Sequence, residues 1–150
     1  MSYKIVTTDE NIEYEQIKDL LHYYGLTDLP TEKIELAFQN SLYKVFVLDE
    51  ENKVIGCGRA ISDGVSHAEI YNIALKEKYH KQGIGRKIME TLVKLAHGQI
   101  ITLYTAPWSM DWYVKLGFRP LNTGLVKFRG HEIEWMEEHG FVGEGRENNS

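Results

Sequence analysis

At 150 residues and 17.4 kDa the chain has the length of one domain, and its 43% hydrophobic and 26% charged residues exclude global disorder. A net charge of −5 and a pI near 5.7 argue against a nucleic-acid binder, and the single cysteine, Cys57, excludes an internal disulfide or a CxxC site. No apolar run would span a bilayer and MSYKIVTTDE lacks the layout of a secretion signal, so the expectation is a soluble cytoplasmic domain with no membrane partner.

In chain order, Ile12, Ile17, Leu20, Leu21 and Tyr24 recur at helical spacing and predict a helix over Asp9 to Tyr24, stopped by Gly25. Pro30-Thr31-Glu32 opens a second helix to about Ser41. Tyr43 to Leu48 and Val54 to Ile61 read as a hairpin across Asp49–Asn52, and a further strand runs from Ser66 to Leu75. Gly83 to His97 is the clearest helix, with Ile84, Ile88, Leu92 and Leu95 on one stripe and Gly98 at its end. Gln99 to Tyr104 is a β-branched and aromatic strand. Pro107 starts a helix that stops at Gly117, Phe118-Arg119 and Leu125 to Phe128 pair as strands, and His131 to His139 forms a short helix. Residues 143–150 are expected to be a disordered tail, which leaves 1–142 as one domain. The order of elements implies an α/β or α+β fold, a mixed sheet between helices.

Charge is uneven along the chain. Lys76 to Lys87 holds five Lys or Arg and one Glu, whereas Gly130 to Ser150 holds six Glu and one Arg. The basic block brackets Gly83 and Gly85 at a strand–turn–helix junction. The first N–H groups of a helix have no intrahelical partners and carry partial positive charge, so they attract phosphate oxygens. Glycines there let a pyrophosphate reach the backbone, and Lys81, Arg86 and Lys87 add charge. The dinucleotide fingerprint fails because its third glycine position is Ile88, and the P-loop fails because Arg86-Lys87 follows Gly85.

The segment resembles the GNAT superfamily of acetyl-CoA-dependent N-acetyltransferases. Their signature is a strand ending in an apolar triplet, here Ile73-Ala74-Leu75. A basic turn follows, then Q/R-x-x-G-x-G/A, here His80-Lys81-Gln82-Gly83-Ile84-Gly85. A second signature, Y-x-K-L-G-F, stands at Tyr113-Val114-Lys115-Leu116-Gly117-Phe118. The chain departs from the pattern at His80, usually Gln or Arg, and at Ala106, often Asn. The resemblance covers residues 3 to 128 and implies a mostly antiparallel central sheet flanked by helices. It implies acetyl-CoA as co-substrate, held by Ile73, Ala74, Leu75, His80, Lys81, Gln82, Gly83, Ile84, Gly85 and Arg86. Tyr113 matches the tyrosine that hydrogen-bonds or protonates the coenzyme A sulfur, and Glu69 matches the base of histone-acetylating members, with a water chain as the alternative. In a regular strand Glu69, Tyr71, Ile73 and Leu75 would share one face. The acceptor is a small-molecule or peptide amine, and a homodimer is plausible by analogy.

Other candidates carry bland readings. Cys57 reads as a small buried hydrophobe, the six histidines form no metal-binding spacing, Ser109 lacks a GxSxG context, and Trp108, Trp112 and Trp135 are either core or cleft. The rival to an enzyme is a non-catalytic acyl-CoA sensor on the same fold.

Overall fold

The computed structural model describes residues 2–145, and the chain divides into two compact units, Met1–Leu103 and Tyr104–Ser150. In the first unit, β1 (Lys4–Val6) leads to α1 (Tyr14–Tyr23) and α2 (Thr31–Gln39). Then come β2 (Tyr43–Leu48), β3 (Val54–Ser62), β4 (His67–Leu75), α3 (Ile84–Leu95) and β5 (Ile100–Thr102). The five strands lie in chain order in one sheet, antiparallel throughout except for the parallel pair β4–β5. The α/β class expected from the pattern is therefore correct, with β1 as an unpredicted edge strand.

Each sheet face has its own cover. Tyr14, Ile17, Leu20 and Leu21 of α1, with Ile34 and Phe38 of α2, bury against Phe46, Leu48, Cys57 and Ala74. Tyr14, Phe38 and Phe46 meet as an aromatic trio at 5.7–6.3 Å between centroids. On the other face α3 buries Ile84, Ile88, Met89 and Leu92, each contributing about 2 kcal/mol relative to exposure. Gly58 is what lets α3 come so close: a Cβ there would stand 2.5 Å from Ile73 Cδ1 and 3.1 Å from Ile88 and Leu92.

Several boundaries differ from the pattern. The first helix begins at Tyr14, not Asp9: Asn11 takes φ +65°, and the Asp9 carboxylate accepts the Tyr14 hydroxyl at 3.0 Å. The predicted strand over Gln99–Tyr104 shortens to three residues. In the second unit, a 3-10 turn (Pro107–Ser109) runs into α4 (Met110–Lys115), and α5 (Glu132–Glu138) follows. The strand pair expected at Phe118-Arg119 and Leu125–Phe128 is absent among the described residues. Leu121, Leu125 and Val126 are exposed, so little apolar burial supports a ladder there, and Pro120 cannot donate to one. Of the expected tail, residues 143–145 form neither helix nor strand, and residues 146–150 lie outside the described residues.

Candidate active site

The first unit holds a strand edge that opens. β4 and β5 pair only across His67↔Ile100, Ala68↔Ile101 and Glu69↔Thr102, yet β4 continues to Leu75. From Ile70 onward that edge has no strand partner among the described residues, so it can accept an extended ligand as an added strand would.

A bulge sits inside the same stretch. Between Arg59↔Tyr71 and Cys57↔Ala74 the register shifts, because Asn72 adopts φ +58° and adds one residue to β4. The shared face predicted for Glu69, Tyr71, Ile73 and Leu75 is corrected by this bulge. Ile73 turns to the α3 side, where its Cδ1 lies over Gly58, while Tyr71 and Asn72 stay on the α1–α2 side against Arg59. Glu69, two residues before Tyr71, keeps to the Tyr71 face, half-buried and opposite Ile61.

Arg59 ties the bulge down, a role that no motif or periodicity in the sequence marks. Its Nε donates to Asn72 Oδ1 at 2.6 Å and its Nη1 to Ser41 Oγ at 3.2 Å. Its guanidinium carbon lies 5.2 Å from the Tyr71 ring centroid and 5.7 Å from that of Phe38. Burial lowers its pKa, opposed by its neighbours Tyr71 and Cys57. The Cys57 thiol donates to the Asn72 carbonyl at 3.5 Å, and complete burial pushes its pKa up to about 12, which suits a core residue and not a nucleophile.

Beyond Leu75 the chain makes a 3-10 turn (Glu77–Tyr79), passes through His80, Lys81 and Gln82, and enters α3 at Gly83. Lys81 and Gly83 take φ +63° and +81°, and a Cβ on Gly83 would meet nothing within 4 Å. No side chain caps α3, so the N–H groups of its first turn are not consumed by a capping group. The cations are used unevenly. Arg86 Nε bonds Glu90 at 2.7 Å and Lys87 Nζ bonds the Tyr3 hydroxyl at 2.7 Å, while Lys81 is exposed beside the glycine. Gln82 Nε2 donates to the Lys78 carbonyl at 3.3 Å, which steadies the turn.

His80 faces back toward the strand end. Its Nε2 lies 2.7 Å from the Leu75 carbonyl and 3.3 Å from the Tyr24 hydroxyl, and its ring stacks on Tyr24 at 6.3 Å. A carbonyl only accepts, so Nε2 carries the hydrogen. The Tyr24 hydroxyl donates to the same carbonyl, and burial raises its pKa. Tyr23 donates to Glu77 at 2.9 Å, so the end of α1 and this loop are held together through four side chains. No sequence motif marks this clasp; the paired tyrosines at a helix end are its visible trace.

Tyr113 belongs to the second unit. It sits on α4, half-buried, with its ring edge-on to Trp112 at 4.8 Å and to Phe118 at 6.2 Å. Desolvation raises its pKa, and a hydrogen bond from the Thr105 side chain acts the other way. Gly117, at φ +101°, turns the chain so that the N–H of Phe118 returns to the Tyr113 carbonyl at 3.2 Å. Trp108 and Trp135 are largely exposed, and each packs on Phe141. Ser109 ends the 3-10 turn. Among the described residues no group of three or more His, Cys, Asp or Glu could hold a metal ion, and no helix is long and apolar enough to cross a membrane.

This strand–turn–helix lies within the stretch that a known protein family matches. The acetyltransferase (GNAT) domain family matches residues 41–120, more than half of the chain. The chain belongs to the GNAT family of N-acetyltransferases. The uncharacterized N-acetyltransferase ycf52 of Pyropia yezoensis is 27% identical over 119 residues, 75% of this chain and 68% of that protein. GCN5-related N-acetyltransferase 1, chloroplastic, of Arabidopsis thaliana is 27% identical over 115 residues, 74% of this chain and 58% of that protein. This GNAT chain thus spans about three-fifths to two-thirds of these relatives' length. Among solved structures, a GNAT family acetyltransferase from Streptococcus pneumoniae shares the fold at a TM-score of 0.68 and 24% identity, covering 85% of this chain and 98% of that one. An aminoglycoside 6'-N-acetyltransferase complexed with coenzyme A does so at 0.67 and 20%, covering 79% and 86%.

Proposed function

We propose that this GNAT protein uses acetyl-CoA to acetylate a primary amine by direct transfer, within one acetyltransferase domain over residues 1–142. The observation that carries the reading is the run from the open β4 edge into the uncapped start of α3. In this reading the pantetheine arm pairs with the backbone of Ile73, Ala74 and Leu75, and the pyrophosphate meets the N–H groups of Lys81 to Arg86, the His80 N–H being spent on the Glu77 carbonyl at 3.0 Å. Lys81 supplies the nearby free cation. The Leu75 carbonyl already accepts from Tyr24 and His80, so His80 serves by fixing the strand end and not by gripping phosphate.

Each chemical step has an assigned group. Glu69 takes a proton from the acceptor's ammonium, the neutral nitrogen attacks the thioester carbonyl, and a tetrahedral oxyanion forms. Attack forms the N–C bond; collapse re-forms the carbonyl and breaks the C–S bond, so coenzyme A leaves as a thiolate while the surplus proton on the nitrogen passes to water. Tyr113 hydrogen-bonds that thiolate. Its raised pKa keeps it a donor across ordinary assay conditions. The test is release of free thiol from acetyl-CoA across a panel of amines. Tyr113→Phe should lower turnover roughly ten- to a thousandfold with acetyl-CoA affinity intact. No amine-dependent thiol release, or unchanged turnover in Tyr113→Phe, would overturn the assignment.

A further inference from the structure

Arg59 is a cation without a carboxylate. Among the described residues the ion pairs are those of Lys18, Arg86 and His131, none with Arg59. Its two hydrogen-bond partners, Asn72 and Ser41, are neutral. A half-buried guanidinium with neutral partners is costly, because hydration is lost and no opposite charge replaces it. A guanidinium has five N–H donors, and these two bonds leave some of them over. No buried side-chain nitrogen lacks a partner among the described residues, so the remaining donors open to water.

Its surroundings fix how an incoming group would lie. The rings of Tyr71 and Phe38 sit on the guanidinium, and Asn72 and Ser41 hold two of its nitrogens. Such a cation is pre-oriented, so little side-chain entropy remains to be lost when an anion docks. A planar carboxylate matches the fork geometry. Position supplies the second argument. Arg59 pairs with Tyr71 and Ile61 with Glu69, so Arg59 and Glu69 are diagonal neighbours on one face. Diagonal positions stand about 7–8 Å apart, a gap that one small zwitterion spans. The cation also disfavours a second positive charge beside it, which eases loss of the acceptor's ammonium proton to Glu69.

We propose that Arg59 is an anion subsite for the acceptor, and that the acceptor is a small amino acid carrying its primary amine and a carboxylate in one molecule. The proposal rests on the reading of Glu69 as the amine-facing base.

The test uses reaction products as probes: N-acetylated ω-amino acids of two to six carbons, each against its own amide, titrated calorimetrically into the coenzyme A complex. The wild type should bind at least one acid about tenfold more tightly than its amide. Arg59→Gln should bring that ratio near one, and Arg59→Lys should keep part of it. A purely bracing role for Arg59 would change stability in both variants and leave the acid-to-amide ratio alone. A wild-type ratio near one at every length, binding of neither series, or an unchanged ratio in Arg59→Gln overturns the proposal. Should Arg59→Gln not fold, the decision passes to Arg59→Lys, where an unreduced ratio overturns it. Failure of the wild type to bind coenzyme A at all would instead sink the acetyltransferase reading beneath it.

Discussion

The two halves of β4 face different surroundings although one strand contains both. Upstream of Asn72, Glu69 and Tyr71 face the α1–α2 side, beside Arg59. Downstream, Ile73 packs toward α3, and Leu75 is held by Tyr24 and His80 at the mouth of the glycine loop. One left-handed residue makes the difference. Without it, strand alternation would put Glu69 and Ile73 on one face and crowd proton chemistry and coenzyme backbone pairing together. In the proposed mechanism the bulge would thus sort acceptor chemistry from cofactor binding, and that sorting can be attacked from either half.

The largest expected effect is upstream. Glu69→Gln keeps the side-chain shape and removes the proton acceptor, so turnover should fall about a hundred- to ten-thousandfold. The loss should be deepest at low pH, where solution supplies little neutral amine, and raising pH should restore part of the rate. Acetyl-CoA affinity should hold. A variant with the wild-type pH–rate profile would transfer the proton to a water relay.

Next is the downstream half. Gly83→Val should raise the KM for acetyl-CoA about tenfold or more, with the Glu69-dependent pH profile unchanged. Gly83 has room for a Cβ but stands at φ +81°, so valine also costs roughly 1–2 kcal/mol of stability. Gly83→Asn separates the two causes, because asparagine tolerates the left-handed conformation. If both variants bind acetyl-CoA equally poorly, the Cβ is at fault and the loop is the pyrophosphate site. Calorimetry returning wild-type affinity for both would remove the site from this loop.

This division was half-legible in the sequence. Periodic patterns placed α3 and the β2–β3 hairpin, since each buries an uninterrupted apolar face. The loop motif placed the junction, because a close-approach backbone must be written in glycine. The bulge was not legible, since an asparagine in a strand reads like any polar residue until its partner strand shows the extra count. Arg59 was hidden for a related reason: its anchors, Ser41 and Asn72, are distant in the chain and meet only through sheet register. The false hairpin at 118–128 came from β-branched and turn residues read locally, without the burial that would stabilise them. β1 escaped notice because three residues are too few to show alternation.

The bulge itself is the third target. Asn72→Ala deletes the bond from Arg59 and leaves a Cβ at φ +58° without asparagine's tolerance for it, so chemical unfolding should show a loss of about 1–2 kcal/mol. Asn72→Gly loses the same bond but relieves the backbone, so it should cost less. Equal losses in glycine and alanine would mean that the side-chain bond, and not the conformation, sets the bulge.

The smallest effect comes from Cys57, which lies beneath the bulge and bonds the Asn72 carbonyl. Burial raises its pKa from 9.0 to about 12, so the folded protein keeps the thiol proton while the unfolded chain releases it. Stability from this group is complete below pH 9 and declines as pH rises toward 12, because each step of alkalinity stabilises the unfolded thiolate. At pH 9 the loss is under about 0.5 kcal/mol. Tyr14, Tyr24 and Tyr113 also have raised pKa values and contribute in the same direction, so an alkaline profile of the wild type alone is ambiguous. Urea unfolding of the wild type and Cys57→Ala at pH 7 and pH 9 isolates the cysteine. The gap between the two proteins should narrow at the higher pH, with the folded thiol inert to alkylation at both. Rapid labelling in the native state would show that the bulge opens to solvent, and the rigid separation of the two halves of β4 would have to be abandoned.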